Sequence, residues 1–178
     1  VNGMSEKFGG TAGNIAYTLS LLGLKPTILA TCGKDFDRYR NWLSDIGLPL
    51  NGIREIPDEF TAGAYITTDK ADNQITGFNP GAMKHRCNYE LPDPPNGNAL
   101  TIISPGNIDD MVGLSDSCRR KRIPYIFDPG QSIPAFSAEQ IVDAMTGAKI
   151  MITNDYELQL IQNLTDLSTK DICDRVET

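Results

Sequence analysis

The chain has 178 residues, 40% of them hydrophobic and 22% charged, and a formal net charge of −7. That length fits one domain of ordinary size with a real core. The acidic balance, with no basic stripe, argues against a nucleic-acid partner. Apolar runs such as Ala99–Ile103 and Lys149–Ile152 are strand-sized and too short to span a membrane. No charged start followed by an apolar stretch signals a secretory leader. The cysteines (Cys32, Cys87, Cys118, Cys173) are scattered without a CxxC pair, which argues against a zinc site and for reduced thiols in the cytoplasm. The single histidine, His85, sits in a polar Lys84-His85-Arg86 stretch and reads as a solvated loop side chain.

In chain order, a glycine-rich segment, Gly9 to Asn14, leads into an apolar helix. Ile15, Leu19 and Leu22 fall at helical spacing from Asn14 to Leu22, and Gly23 stops the helix. "KPTILATCG" reads as a strand closed by Gly33. "DRYRNWLSDIGL" reads as a helix ending at Gly47. "TAGAYITTD" and "NQITGFNP" then read as two strands of a β-hairpin, Thr61–Asp69 and Asn73–Asn79, joined by the turn Lys70-Ala71-Asp72. This excursion, about residues 53–83, has the character of a lid. "DPPNGN", Asp93 to Asn98, is the clearest linker.

The second half repeats the alternation. "ALTIIS" is a strand. "IDDMVGLSDSCRRKR" is an amphipathic helix with Met111, Leu114 and Cys118 on one face. "PYIFD" is a strand, "SAEQIVDAM" a helix capped by Ser137, "AKIMITN" a strand, "DYELQLIQNL" a helix, and "STKDICDRVET" is helical. Strands alternating with helices predict a three-layer α/β/α, Rossmann-like, mostly parallel sheet with a projecting hairpin.

Gly9 and Gly10 precede a helix whose first N–H groups and positive dipole end face outward. Glycines there let a polar ligand sit against bare backbone. Asn14 adds a side chain that both donates and accepts, suited to sugar hydroxyls. A tight turn with Asn14 as a simple cap is the structural alternative. No Gly-Lys-Ser/Thr follows, and the glycine spacing is not that of a dinucleotide fingerprint. Further along, "TNDYE" places Asn154 and Glu157 at i and i+3 just past a strand end, on one helix face. A helix cap plus a surface charge accounts for such a pair equally well. Asp128, in "FDPGQ", lies at another strand end, beside a Pro-Gly turn that it could equally cap.

Gly9-Gly10, Ala12, Asn14, Ala16, Gly23 and Gly33 together resemble the first signature of the ribokinase-type (PfkB) carbohydrate and nucleoside kinases. Asn154 and Glu157 resemble the family's Asn-x-x-Glu motif. The resemblance covers essentially the whole chain. It implies a ribokinase-like fold and an ATP- and Mg2+-dependent kinase that phosphorylates a ribose hydroxyl. The glycine pair would lie at the hinge between lid and body, with Gly9, Gly10 and Asn14 on the substrate. "FNPGAM", Phe78 to Met83, would close the lid strand over the site. Asn154, Glu157 and Asp128 would lie on the metal and phosphate side, with Glu157 as a metal ligand. "TAGN", "FNPGAM" and "FDPGQ" look most similar to adenosine-kinase-type members. A homodimer through the lid is implied as a partner arrangement, with no membrane and no nucleic acid.

Two family elements have no counterpart among the 178 residues: an N-terminal strand carrying a sugar-gripping aspartate, and the Gly-Ala-Gly-Asp run that holds the catalytic base. Asp109, Asp110 and Asp155 are acidic but lie in no glycine-rich helix start. The expectation is therefore a partial ribokinase-like domain over residues 1–178, an internal fragment of a longer kinase that is inactive alone. The alternatives are a non-catalytic sugar- or nucleoside-binding module, a ribose- or fructose-type sugar kinase, and another α/β enzyme such as a nucleotide-binding dehydrogenase half.

Overall fold

The computed structural model describes residues 3–94 and 98–176. Residues 95–97 of the expected linker lie outside the described residues. Contacts cluster into two compact units, Val1–Tyr89 and Glu90–Thr178.

The first unit opens with α1 (Thr11–Leu21), followed by β1 (Ala30–Gly33), α2 (Asp37–Asp45) and β2 (Ile53–Ile56). β1 and β2 pair in parallel, Ala30 opposite Ile53 and Gly33 opposite Ile56. A parallel pair needs a crossover, and α2 supplies it. The segment Ile53–Ile56, which the sequence reading assigned to the lid excursion, thus belongs to the parallel pair instead. Ala16, Ile28, Cys32, Phe36, Leu43 and Leu48 form the buried cluster of this unit. α1 starts at Thr11 rather than Asn14. Its N-cap is Gly10, at φ 88°, and no side chain caps it.

β3 (Gly63–Thr68) and β4 (Gln74–Asn79) form the expected antiparallel hairpin, Gly63 opposite Asn79 and Thr68 opposite Gln74. Asp69 shapes its turn. One carboxylate oxygen accepts the Ala71 and Asn73 amides, and the other accepts the Asn73 side-chain amide at 2.9 Å. Asp72 takes the left-handed conformation there. Directly opposed residues share a face, so Ile66 and Phe78 lie on one face of the ribbon and Tyr65 and Ile75 on the other. All four are exposed. After β4 the chain makes a 3-10 turn, Gly81–Lys84, with Gly81 and Ala82 buried, and the Ala82 carbonyl accepts the Thr31 hydroxyl of β1 at 2.8 Å. "FNPGAM" is therefore half strand end and half turn.

The second unit is a three-stranded parallel sheet in the order β5 (Thr101–Ile103), β6 (Tyr125–Phe127), β7 (Ile150–Met151). Its helices are α3 (Ile108–Lys121), α4 (Ala138–Met145), α5 (Asp155–Thr165) and α6 (Thr169–Arg175). The alternation expected for this half is present, strand by strand. Ser137 caps α4 in a reciprocal box with Gln140. Met111 and Cys118 of α3 are buried, as are Tyr125 and Phe127 of β6. Among the described residues no helix is long and apolar enough to cross a membrane.

Candidate functional site

The glycine segment lies in the first unit. Nothing comes within 4 Å of where a Cβ would stand on Gly9 or Gly10. Gly10 is exposed and carries the positive φ that favours glycine. The backbone here is accordingly bare and approachable. Tyr39 holds it in place from α2 by donating its hydroxyl to the Gly9 carbonyl at 2.9 Å. A Cβ on Gly13 would stand 2.1 Å from that same hydroxyl oxygen, which explains the third glycine.

Asn14 does not cap the helix. Its amide donates to the Gly10 carbonyl at 2.9 Å, an ordinary helical bond, and its side chain is exposed. It borders a cleft of about 340 Å³ lined also by Lys7, Phe8, Tyr17, Tyr39 and Trp42. Phe8 stacks on Tyr39 with ring centroids 4.7 Å apart, and Trp42 lies 5.3 Å from Tyr17 and 5.8 Å from Tyr39. Sequence reasoning missed Tyr39; an aromatic at helical spacing carries no signal that its hydroxyl pins a distant loop.

Asp128, Asn154 and Glu157 lie together in the second unit, at the C-terminal ends of adjacent parallel strands, where open α/β sheets bind ligands. Asp128 directly follows β6, and Asn154 is the N-cap of α5 just after β7. Asn154 and Glu157 form a reciprocal capping box. The Asn154 side chain accepts the Glu157 amide at 2.9 Å, and the Glu157 carboxylate accepts the Asn154 amide at 3.0 Å. The cap reading of this pair is thus realised in the fold, with one Glu157 oxygen engaged. Burial pushes the Asp128 carboxyl above its ordinary range, the Glu157 charge adds to the shift, and a hydrogen bond from the Gly130 backbone opposes it. Gly130 is required at φ +43°, where a Cβ would stand 2.7 Å from Pro105.

Among the described residues, no group of three or more His, Cys, Asp or Glu could hold a metal ion by itself. Asp128 and Glu157 are nevertheless hard oxygen donors whose charges oppose each other, and a divalent cation relieves that repulsion. Mg2+ is commonly held by one or two carboxylates with the remaining positions left to water and phosphate. The pair fits that pattern. His85 lies elsewhere, 3.5 Å from Glu59.

The description "pfkB family carbohydrate kinase" matches residues 1–178. The chain belongs to this family. Among its relatives, a nucleoside kinase of Methanocaldococcus jannaschii is 30% identical over 173 residues, which is 96% of this chain and 56% of that protein. The structure of a Burkholderia thailandensis nucleoside kinase in complex with inosine is 36% identical, with a TM-score of 0.86 over 98% of this chain and 57% of the other. The same kinase in complex with ADP-inosine gives a TM-score of 0.85, with 99% and 55% covered. The fold is ribokinase-like α/β, as the resemblance implied. The chain spans about half the length of these relatives.

Proposed function

We propose that this pfkB-family chain is part of an ATP-dependent nucleoside kinase that transfers the γ-phosphate to a ribose hydroxyl. The observation that carries the reading is the start of α1: bare backbone at Gly9 and Gly10 beside an exposed Asn14 amide that the fold does not use for capping. The positive end of a helix dipole and backbone that a ligand can approach closely suit ribose oxygens. The similarity to nucleoside kinases, one in complex with inosine, supports a nucleoside over a simple hexose. The leaning within nucleosides is towards adenosine-like purines, on the "TAGN", "FNPGAM" and "FDPGQ" segments.

Gly9, Gly10 and Asn14 would bind and orient the nucleoside. Asp128, Asn154 and Glu157 would lie on the phosphate side, with Glu157 and Asp128 as the oxygen donors for Mg2+. When bound, Mg2+ neutralises phosphate charge during transfer. The β3–β4 ribbon would act as a lid that excludes water. It exposes two large apolar side chains on each face, and a lone two-stranded ribbon is marginal in water. One face over substrate and the other against a second copy of the chain would cover both, which supports a homodimer through the lid. The catalytic base is expected outside these 178 residues, so chain 1–178 alone is expected to be inactive. A cytoplasmic location accords with the reduced cysteines.

The test is phosphoryl transfer from ATP by the full-length protein across a panel of nucleosides and sugars. Preference for a nucleoside is the expected result. Turnover of ribose or fructose alone would favour the sugar-kinase alternative, and binding without turnover the non-catalytic module.

A further inference from the structure

Both legs of the β3–β4 ribbon leave the first unit at one junction, against the C-terminal end of β1. Just before β3, the Thr61 amide and hydroxyl both donate to one oxygen of Asp35, each at 2.7 Å. The same hydroxyl accepts the Gly33 amide at 2.9 Å. One residue earlier, the Phe60 carbonyl accepts the Ala82 amide at 2.8 Å from the far leg, and the Glu59 carbonyl accepts the Lys34 amide at 2.9 Å. The Lys34 ammonium lies 4.2 Å over the Phe60 ring.

The packing leaves no slack. A Cβ on Gly33 would stand 2.3 Å from the Phe60 carbonyl carbon and 2.5 Å from the Thr61 nitrogen. A Cβ on Gly81, at φ +44°, would stand 2.2 Å from the Phe60 oxygen. Two glycines, each with no room for a Cβ against the same stretch of backbone, mark a close backbone approach. The ribbon itself has no such support, since its side chains are exposed on both faces. Its direction is therefore set at the root.

We propose that Asp35 and Thr61 form a latch that fixes the angle at which the β3–β4 ribbon leaves the β1–β2 pair. They are positioning residues: they act on nucleoside capture through the ribbon and touch neither substrate nor phosphate. This rests on the reading of the ribbon as a lid. Thr61 supplies both the amide and the hydroxyl, and the hydroxyl relays the Asp35 carboxylate to the Gly33 amide. Removing the hydroxyl alone breaks two of the three bonds and leaves the shape of the side chain.

The test compares Thr61→Val, Thr61→Ser and Asp35→Ala in the full-length protein by backbone hydrogen exchange and by kinetics. Thr61→Val is expected to speed exchange of the β3–β4 amides at least tenfold, together with the Gly33 amide that loses its acceptor, with the amides of residues 30–32, β2 and α2 unchanged. It is expected to raise the nucleoside KM about tenfold, leaving the ATP KM and kcat within about twofold. Thr61→Ser should restore both readouts. The double variant Asp35→Ala/Thr61→Val should lose less than the two single losses added, because both remove the same Thr61 hydroxyl–Asp35 bond. Unchanged ribbon exchange in Thr61→Val overturns the latch. Faster exchange with an unchanged nucleoside KM overturns its link to capture. A wild-type protein that phosphorylates no nucleoside defeats the kinase reading instead, and ribbon exchange in Thr61→Val then decides the latch by itself.

Discussion

The Tyr39 hydroxyl donates to the Gly9 carbonyl at 2.9 Å, and the same oxygen would stand 2.1 Å from a Cβ on Gly13. One aromatic side chain on α2 thus fixes the loop before α1 and dictates a glycine inside it. Tyr39 has little freedom to retreat, being stacked on Phe8 and packed against Phe36 and Trp42. Gly13→Ala is therefore expected to destabilise. Overpacking costs about 1–3 kcal/mol, against a helix-propensity gain of at most about 1 kcal/mol. Tyr39→Phe removes the clashing oxygen and leaves the ring carbon at 3.3 Å. Urea denaturation of the double variant should show less loss than the two single losses added.

Asn14→Ala separates a binding role from a capping one. The Asn14 side chain is exposed and α1 is capped by Gly10 without side-chain help. Stability should change by less than about 0.5 kcal/mol. The full-length enzyme should lose about 1–3 kcal/mol in kcat/KM for nucleoside, the cost of a lost substrate hydrogen bond. A stability loss of about 1 kcal/mol with unchanged kinetics would return Asn14 to a structural role.

The elements that read correctly from sequence carry their own end signals. Ser137 with Gln140 announces α4, and Gly47 closes α2. The hairpin was legible from β-branched and aromatic residues flanking a short polar turn. β2 was not, because "IREI" is four residues long with its two central side chains exposed, and only its pairing with β1 makes it a strand. The start of α1 was misplaced because Gly10 caps through its backbone, with no side-chain bond to mark the first turn. Gly33 read as a strand end and signature glycine, and Gly81 only as part of "FNPGAM", yet the spatial cause of both is the Glu59–Thr61 backbone passing alongside. Asp35 and Tyr39 act on segments distant in sequence, which no local pattern encodes.

Asp128 should trade stability for function. Burial first, then the Glu157 charge, raises its folded-state pKa above the ordinary 3.8. A raised carboxyl disfavours the ionised folded state, so its cost is absent at low pH and grows as pH rises through the shifted value. Asp128→Asn is expected to raise the denaturation midpoint at about pH 7, with the gap closing towards about pH 3. The same variant should weaken Mg2+-dependent turnover in the full-length enzyme. A midpoint that falls equally at both pH values would show that the Gly130 hydrogen bond to the carboxylate outweighs its desolvation.

The four thiols should divide sharply. Cys32, Cys87 and Cys118 are buried and Cys173 is exposed. Burial pushes the Cys32 thiol up to about 11, with Arg40 opposing and Glu55 and Asp35 adding to the rise. Burial likewise raises Cys118. The thiolate is the reactive form. Alkylation of the native chain at about pH 8, read by mass spectrometry, is expected to label Cys173 quickly and the other three only after denaturation. Rapid native labelling of Cys32 would mean that β1 opens far more readily than its buried cluster implies.

Asn154 and Glu157 can be tested for a second role because their first is now defined. Each closes the other's half of the α5 capping box. Asn154→Ala removes the acceptor for the Glu157 amide and should cost about 1 kcal/mol of stability. Glu157→Gln keeps an oxygen for the Asn154 amide and should cost much less, since Gln serves the same position in the box. It does remove the negative charge beside Asp128. If the pair were only a cap, activity in the full-length enzyme would follow stability, with Asn154→Ala the worse of the two. The phosphate-side reading expects the reverse order for Mg2+: Glu157→Gln should leave the denaturation midpoint nearly unchanged, raise the Mg2+ concentration needed for half-maximal turnover about tenfold or more, and lower the Asp128 pKa towards its ordinary value. A Glu157→Gln enzyme with wild-type Mg2+ dependence would leave the carboxylate as a helix cap alone.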